Sequence, residues 1–221
     1  MISSSPGRDR ESELAELPDP HPVLTGTSWA SLEMPTGNGD ILPVPLARLL
    51  DPDPEVRASA AGEALGAVTH QNSIYEATVP VALFVAAVLN QPATAAGETG
   101  QANSPYPTRA TLLDWLSDTA YDADDACVAA GERTCSAFLD EVPDMRAFRQ
   151  LRLLFYSAVR PLLGDDHAQV RHAALVAAIP LVEHPLLTTH REELAEHARS
   201  LLATSAHRRY RRSRVLDALK Q

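Results

Sequence analysis

The sequence predicts an all-α protein with about seven to nine helices. Hydrophobic residues make up 45% of the 221 residues but aromatic residues only 5%, so a core must be built from Ala, Leu and Val. Such a composition favours packed helices over strands, which prefer branched and aromatic side chains. Apolar residues also recur at helical spacing, as in Val56, Ala60, Ala64 and Val68, and the length suffices for one substantial core.

The first 42 residues differ in composition from the rest of the chain. They are rich in Ser, Pro, Gly and acidic residues, which predicts a flexible, disordered acidic arm over 1–42 followed by one domain over 43–221. The stretch SWASLEMP is the exception, because Trp29, Leu32 and Met34 are expected to pack against the first helix of the domain.

A helix, a tight turn and a second helix are predicted from LARLLDPDPEVRASAAGEALGAV, which begins at Leu46. Pro52 and Pro54 end the first helix, while Asp53 can cap the second with Pro54 at its first position. The same pattern returns in RPLLGDDHAQVRHAALVAAIPLVEHP. LLDPDPEVRASAA aligns there with LLGDDHAQVRHAA after a one-residue insertion, which places Arg57 and Arg171 114 residues apart.

This spacing equals three units of 38 residues, and the unit contains an aspartate-bearing turn followed by a V-R-x-x-A helix. The pattern resembles the HEAT repeat, a pair of antiparallel helices of about 40 residues that stacks on its neighbours. The resemblance covers 46–90 and 147–204 and implies an α-α superhelix, a HEAT-like solenoid. It also implies that Arg57 and Arg171 pair with turn aspartates such as Asp53 and Asp166.

The two clear units are separated by a loop and a predicted helix pair. The loop, 90–107, reads NQPATAAGETGQANSPYP and has low hydrophobicity. TRATLLDWLSDTA and CVAAGERTCSAFLDEV follow it and predict two helices packed around Leu112, Leu113, Trp115, Leu116, Phe138 and Leu139.

Charge is divided unevenly along the chain. Residues 1–145 carry 22 acidic and 6 basic side chains, net −16, while 146–221 carry 7 acidic and 13 basic, net +6, which together give −10. This balance argues against a nucleic-acid binder and favours a basic protein partner for the acidic two-thirds. The basic segment Arg208–Arg214 has two interpretations, a phosphate contact in which Tyr210 stacks on a base, or a solvated terminal helix.

The stretch HQNSIYEAT contains the main candidate site. Ser73 and Glu76 have the spacing of a capping box, after a turn formed by the three preceding polar residues, and Pro80 is expected to bend the next helix. The functional alternative is a partner-binding surface that combines this stretch with the aspartates of YDADDA. Those aspartates lack the glycine and terminal glutamate of a calcium loop and are also typical of a helix N-terminus. The partner-binding candidates are His70, Gln71, Asn72, Tyr75, Glu76, Asp122, Asp124 and Asp125.

Catalytic, metal and membrane functions find little support in the sequence. His190, Glu193 and His197 could share one side of a helix, but H-E-x-x-H is absent, so no metal ion and no cofactor are expected. No nucleophile elbow, phosphate loop or dinucleotide glycine pattern is present, which predicts a protein that is not an enzyme. Without a signal peptide or an apolar run of about 20 residues, the prediction is a cytoplasmic protein outside the membrane.

These observations predict a non-enzymatic protein–protein interaction scaffold that binds a macromolecular partner through the concave face of a HEAT-like solenoid. One alternative comes from resemblance, since some bacterial HEAT-repeat proteins look like immunity proteins that neutralise a secreted or contact-delivered toxin. The other is a HEAT-like nucleic-acid-binding or glycosylase-type protein, which would need a strongly basic concave surface.

Overall fold

The computed structural model describes residues 15–99 and 105–204 and is mostly helical, which confirms the predicted all-α class. The described part contains eleven α-helices, more than the predicted seven to nine, because Pro20–Gly26 is helical within the predicted arm and residues 125–159 form four short helices. The α-helices are α1 Pro20–Gly26, α2 Pro43–Arg48, α3 Pro54–Ala67, α4 Thr78–Leu89, α5 Thr108–Tyr121, α6 Asp125–Glu132, α7 Phe138–Glu141, α8 Pro143–Gln150, α9 Arg152–Val159, α10 Ala168–Leu181 and α11 Arg191–Thr204.

Short 3₁₀ turns and one strand pair complete the described structure. The turns are Trp29–Ser31, Gly39–Ile41, Pro92–Ala95, Arg160–Gly164 and Pro185–His190. Strands β1 Glu98–Thr99 and β2 Tyr106–Pro107 pair antiparallel, with Glu98 opposite Pro107 and Thr99 opposite Tyr106.

The helices pack around one core. Helix α3 contacts α5, α5 packs extensively on α10, and α10 contacts α11. Helix α4 contacts both α1 and α9. Helix α4, TVPVALFVAAVL, is apolar on nearly all sides because it is surrounded by α1, α5, α8 and α9, as expected for a helix at the centre of a domain.

The segment before α2 packs onto this core, which differs from the flexible arm predicted over 1–42. Trp29 and Met34 are buried, at 5% and 4% exposure, and confirm the predicted packing of SWASLEMP. The indole Nε1 of Trp29 donates to the carbonyl of Leu24, 2.8 Å away. Gly39 is required here because a Cβ would lie 2.6 Å from the carbonyl oxygen of Trp29. Residues 1–14 lie outside the described residues.

Helices α3 and α10 are equivalent in length and position, since each spans 14 residues and their bounds differ by 114. The turn before each is built in the same way. Asp51 Oδ1 accepts from the backbone N–H of Asp53 at 2.8 Å, and Asp165 Oδ1 accepts from the N–H of His167 at 2.8 Å. Asp53 and His167 then cap the two helices through their side chains.

The arginines of V-R-x-x-A also occupy equivalent positions. The predicted pairing of Arg57 with Asp53 is wrong, whereas Arg171 does contact Asp166, through the backbone carbonyl. Arg57 Nη1 donates to the backbone carbonyls of Asp51 and Pro52, at 2.6 and 2.9 Å. Arg171 Nη1 donates to the carbonyls of Asp165 and Asp166, at 2.6 and 2.8 Å. The guanidinium groups therefore bind the turn backbone, and the carboxylate of Asp53 is engaged in capping α3.

The predicted loop 90–107 is anchored to the helices on both sides of its undescribed residues, 100–104. Arg57 Nη2 donates to the carbonyl of Ala96 at 3.1 Å, and Thr94 Oγ1 donates to that of Val88 at 2.7 Å. Arg109 donates to the carbonyl of Gln91 and to Asp165 Oδ2, at 3.1 and 2.9 Å, which ties the start of α5 to the turn before α10.

Candidate functional site

The polar stretch after α3 forms a tight turn at 70–73, as the sequence predicts. The N–H of Ser73 donates to the carbonyl of His70 at 3.1 Å. Between them Gln71 and Asn72 have φ values of 49° and 57°, in the left-handed region where asparagine and glycine are usual and glutamine is not.

The capping box predicted from Ser73 and Glu76 is wrong. Helix α4 begins at Thr78, and Glu76 Oε2 instead accepts from the backbone N–H of Glu33 at 2.9 Å. Pro80 is the third residue of α4, where a backbone N–H has no carbonyl partner within the helix. The predicted bend therefore lacks its cause, because Pro80 removes no helical hydrogen bond.

Six of the eight predicted site residues lie together, on the 70–76 stretch and at the end of α5. Asn72 Nδ2 donates to Asp122 Oδ1 at 2.8 Å, a contact between residues 50 positions apart. The hydroxyl of Tyr75 lies 3.4 Å from His70 Nδ1. These two contacts bring His70, Asn72 and Tyr75 together near Asp122.

The other two, Asp124 and Asp125, are used within the molecule. Asp124 caps α6 by accepting from the N–H of Cys127 at 2.7 Å, which confirms the helix N-terminus interpretation. Asp125 forms ion pairs with Arg149 at 2.5 Å and Arg152 at 3.4 Å. Burial raises the pKa of Asp125, but these two arginines outweigh it and hold the pKa below its usual value.

Arg152 also lies near a second carboxylate, that of Glu183. Glu183 Oε2 accepts from the N–H of Asp125 at 2.8 Å and lies 3.8 Å from Arg152 Nη1. Burial raises the pKa of Glu183, and the neighbouring aspartates raise it further against the opposing effects of Arg152 and of that backbone hydrogen bond. This network joins α6, α8, α9 and the end of α10, so its function is structural.

A small cleft of about 60 Å³ separates the turn from the last turns of α5. Trp115 Nε1 donates to Thr69 Oγ1 at 2.9 Å and fixes one wall. Enclosed ligand pockets typically measure about 300–1,000 Å³, so this cleft has room only for the end of a side chain. The lining residues are Val68, Thr69, His70, Asn72, Ser73, Thr78, Trp115, Asp118, Thr119 and Asp122.

Sequence reasoning missed Asp118 as a site residue, although the signal was present. Asp118 and Asp122 are four residues apart in WLSDTAYD, so both carboxylates lie on one side of the helix end.

Three carboxylates from distant segments, those of Glu33, Glu76 and Asp144, lie close enough for the first two to act electrostatically on the third. Burial raises the pKa of Asp144, and the negative charges of Glu76 and Glu33 raise it further. Glu33 and Glu76 are exposed and Asp144 is partly exposed. Among the described residues, none of the three forms an ion pair with arginine, lysine or histidine.

The histidine considered as a zinc ligand, His190, packs inside the protein, and the two cysteines are not bonded to each other. His190 is 2% exposed, its Nδ1 lies 3.2 Å from Glu193 Oε2, and its ring packs on Tyr156 with centroids 5.0 Å apart. In the described part of the chain no three His, Cys, Asp or Glu side chains are arranged to hold a metal ion. Cys127 and Cys135 are free thiols, and burial together with nearby aspartates raises the pKa of Cys127 to about 11, which keeps it protonated.

None of the helices described combines the length and the apolar character that crossing a bilayer requires. Compared with known proteins, the chain matches no family model, no curated protein and no solved structure.

Proposed function

We propose that the chain is a non-enzymatic, cytoplasmic binding protein that engages a basic protein partner through its acidic surface. This acidic surface consists of Glu33, Glu76, Asp144, Asp118 and Asp122. The observation that carries the proposal is the approach of Glu33, Glu76 and Asp144, whose positions in the sequence are far apart.

Like charges near one another oppose folding. Burial raises the pKa of Asp144, and the negative charges of Glu76 and Glu33 raise it further, in the direction that such repulsion produces. A lysine or arginine supplied by a partner would relieve it. Surfaces of one sign also increase the encounter rate with an oppositely charged protein, and salt screens the effect.

The internal use of arginine supports a protein partner over a nucleic acid. Arg57, Arg109 and Arg152 are buried at 3%, 8% and 7% exposure, and Arg149 is engaged with Asp125 and the carbonyl of Ala123. These cations do not form the exposed basic stripe that phosphate binding requires. Arg208–Arg214 lies outside the described residues.

The fold that we propose for this function is a HEAT-like solenoid whose concave face carries the partner. It is supported by the 114-residue equivalence of α3 with α10, and by the identical arginine contacts in the turns before them. The successive contacts of α3 with α5, α5 with α10 and α10 with α11 are compatible with stacked helix pairs.

The experiment begins with chemical crosslinking in cells of origin, identification of the partner and its purification. Its affinity is then measured for the wild type and for the triple variant Glu33→Gln, Glu76→Gln, Asp144→Asn. We expect the triple variant to weaken binding about tenfold at low salt, and less at high salt.

The matched control is Glu55→Gln, Glu98→Gln, Glu132→Gln, which removes the same charge from exposed positions on other elements. It should change the affinity much less. Equal losses of partner affinity in the two variants would show that only the net charge of the protein matters and would overturn the proposal. A partner without a basic surface would overturn it too.

A further inference from the structure

We propose that residues 125–141, α6 together with α7, form a flap that opens as one unit from the rest of the fold and is held closed by Asp125. Opening uncovers the guanidinium groups of Arg149 and Arg152, which Asp125 contacts in the closed state. The motion belongs to the chain itself and needs no binding partner.

The flap contributes little to the core. Helix α6 buries one residue, Val128, and α7 buries none, whereas nine of the twelve residues of α4 and ten of the fourteen of α10 are buried. The close approach of Phe138 to Gly131 lies within the flap itself. Helices of eight and four residues are not stable alone in water, so the flap depends on the contacts that dock it. Segments with few buried apolar contacts are the ones that open locally.

Asp125 docks the flap through both its side chain and its backbone. Its carboxylate lies 2.5 Å from Arg149 Nη2 and 3.4 Å from Arg152 Nη1. Its N–H donates to Glu183 Oε2 at 2.8 Å. These partners lie on α8, on α9 and directly after the cap of α10, so one residue ties the flap to three elements of the main body.

The exposure of these side chains shows which groups the flap covers. The side chain of Asp125 is 56% exposed, and those of Arg149 and Arg152 are 13% and 9% exposed. The carboxylate therefore lies on the solvent side of the two guanidinium groups. When the flap opens, two neighbouring arginines face the one carboxylate of Glu183, so a neutralised network becomes a basic surface.

Both ends of the flap have backbone that can act as a hinge. Asp124, the N-cap of α6, is extended with φ −71° and ψ 172°, and Val142, between α7 and α8, has φ −125° and ψ 72°. Non-helical residues at the ends of elements absorb the changes in φ and ψ of a hinge motion. Arg149 also donates to the carbonyl of Ala123, which fixes the chain up to the first hinge.

The first test is native-state hydrogen exchange of the wild type, measured by NMR at urea concentrations below the unfolding transition. The amides of α6 and α7 should share one opening free energy and exchange at least about a hundredfold faster than those of α4, α5 and α10, after correction for intrinsic rates. Their urea dependence should be weak, because a small opening exposes little surface. Exchange of the flap with the free energy and urea dependence of the core would overturn the inference.

The role of Asp125 is tested by Asp125→Asn, which should accelerate exchange in α6 and α7 about fivefold. Asp140→Asn is the matched control, since it removes the same charge from the same flap. The ion pair of Asp140 with Arg146 is exposed, at 72% and 45%, so exchange in this variant should stay within about twofold of the wild type. Unchanged exchange in Asp125→Asn would overturn the inference.

A third variant, Arg171→Ala, separates local opening from global unfolding. Arg171 holds the turn before α10, outside the flap, so its loss should accelerate exchange in the core helices and leave α6 and α7 unchanged. Equal acceleration in the flap and the core would show that the flap opens only when the whole protein unfolds, which contradicts the inference.

The uncovering of the two arginines is measured by modification with phenylglyoxal, followed by mass spectrometry. Arg149 and Arg152 should be modified at a rate that follows exchange of the flap, whereas Arg57, buried in the core at 3% exposure, should react only through global unfolding. Modification of Arg149 and Arg152 no faster than that of Arg57 would overturn the inference.

Discussion

Replacement of Arg57 by alanine should lower the free energy of unfolding by about 3 kcal/mol. The guanidinium donates to three carbonyls, those of Asp51, Pro52 and Ala96, and the side chain is only 3% exposed. A hydrogen bond to a charged group contributes about 1.5–3 kcal/mol, and water can reach only part of the space that the substitution leaves. Lysine at this position should recover less than half, because a single ammonium group cannot span the three acceptors.

The matched control is Arg171→Ala, which removes the equivalent side chain from the second turn. Arg171 donates to two carbonyls and is partly exposed, so water replaces it more easily and the expected loss is about 1 kcal/mol. Urea unfolding followed by far-ultraviolet circular dichroism measures both variants. The reasoning is refuted if Arg171→Ala costs as much as Arg57→Ala, or if neither variant differs from the wild type.

Two further pairs of variants test the packing and the electrostatics. Gly131→Ala should lower the free energy of unfolding by about 1–3 kcal/mol, because the added Cβ would lie 2.4 Å from the ring of Phe138. Gly62→Ala should raise the free energy of unfolding by about 0.5–1 kcal/mol in the same urea assay, because a Cβ there would have nothing within 4 Å. Asp125→Asn should destabilise at pH 7, because the lowered pKa of Asp125 means that its ionised form stabilises the fold; the difference from wild type should disappear as the pH falls through that pKa. Asp144→Asn should stabilise at pH 7, because a raised pKa means that the ionised form opposes folding; this gain should disappear on acidification to about pH 4, and stability curves of both variants against pH check the signs.

The features that the sequence predicted well depend on contacts within a few residues. The turns before α3 and α10 are built from side chains that bind backbone groups two to six positions away, so their repetition is visible in the sequence. The same holds for the turn at 70–73 and for the cap that Asp124 forms on α6. Local chemistry of this kind leaves a pattern of residue types and spacings.

The features that the sequence did not predict depend on distant contacts. Glu76 fits a capping box by spacing, but its hydrogen bond goes to Glu33, and no local pattern indicates that partner. The helix Pro20–Gly26, with its buried Val23, was missed because the average composition of the first 42 residues conceals the few apolar side chains that anchor it. The meeting of Asp144 with Glu33 and Glu76 likewise follows only from the packing of the helices.

The arginines connect this internal architecture with the acidic surface. Arg57 ties α3 to the segment that leads to α5, and Arg109 ties α5 to the turn that leads to α10. α5 also has a buried arginine near its start, although it lacks the V-R-x-x-A pattern. Each guanidinium engaged in this way is unavailable to shield exposed carboxylates. The use of arginine to join the helices therefore increases the negative field around the 70–76 stretch, and salt should weaken partner binding there.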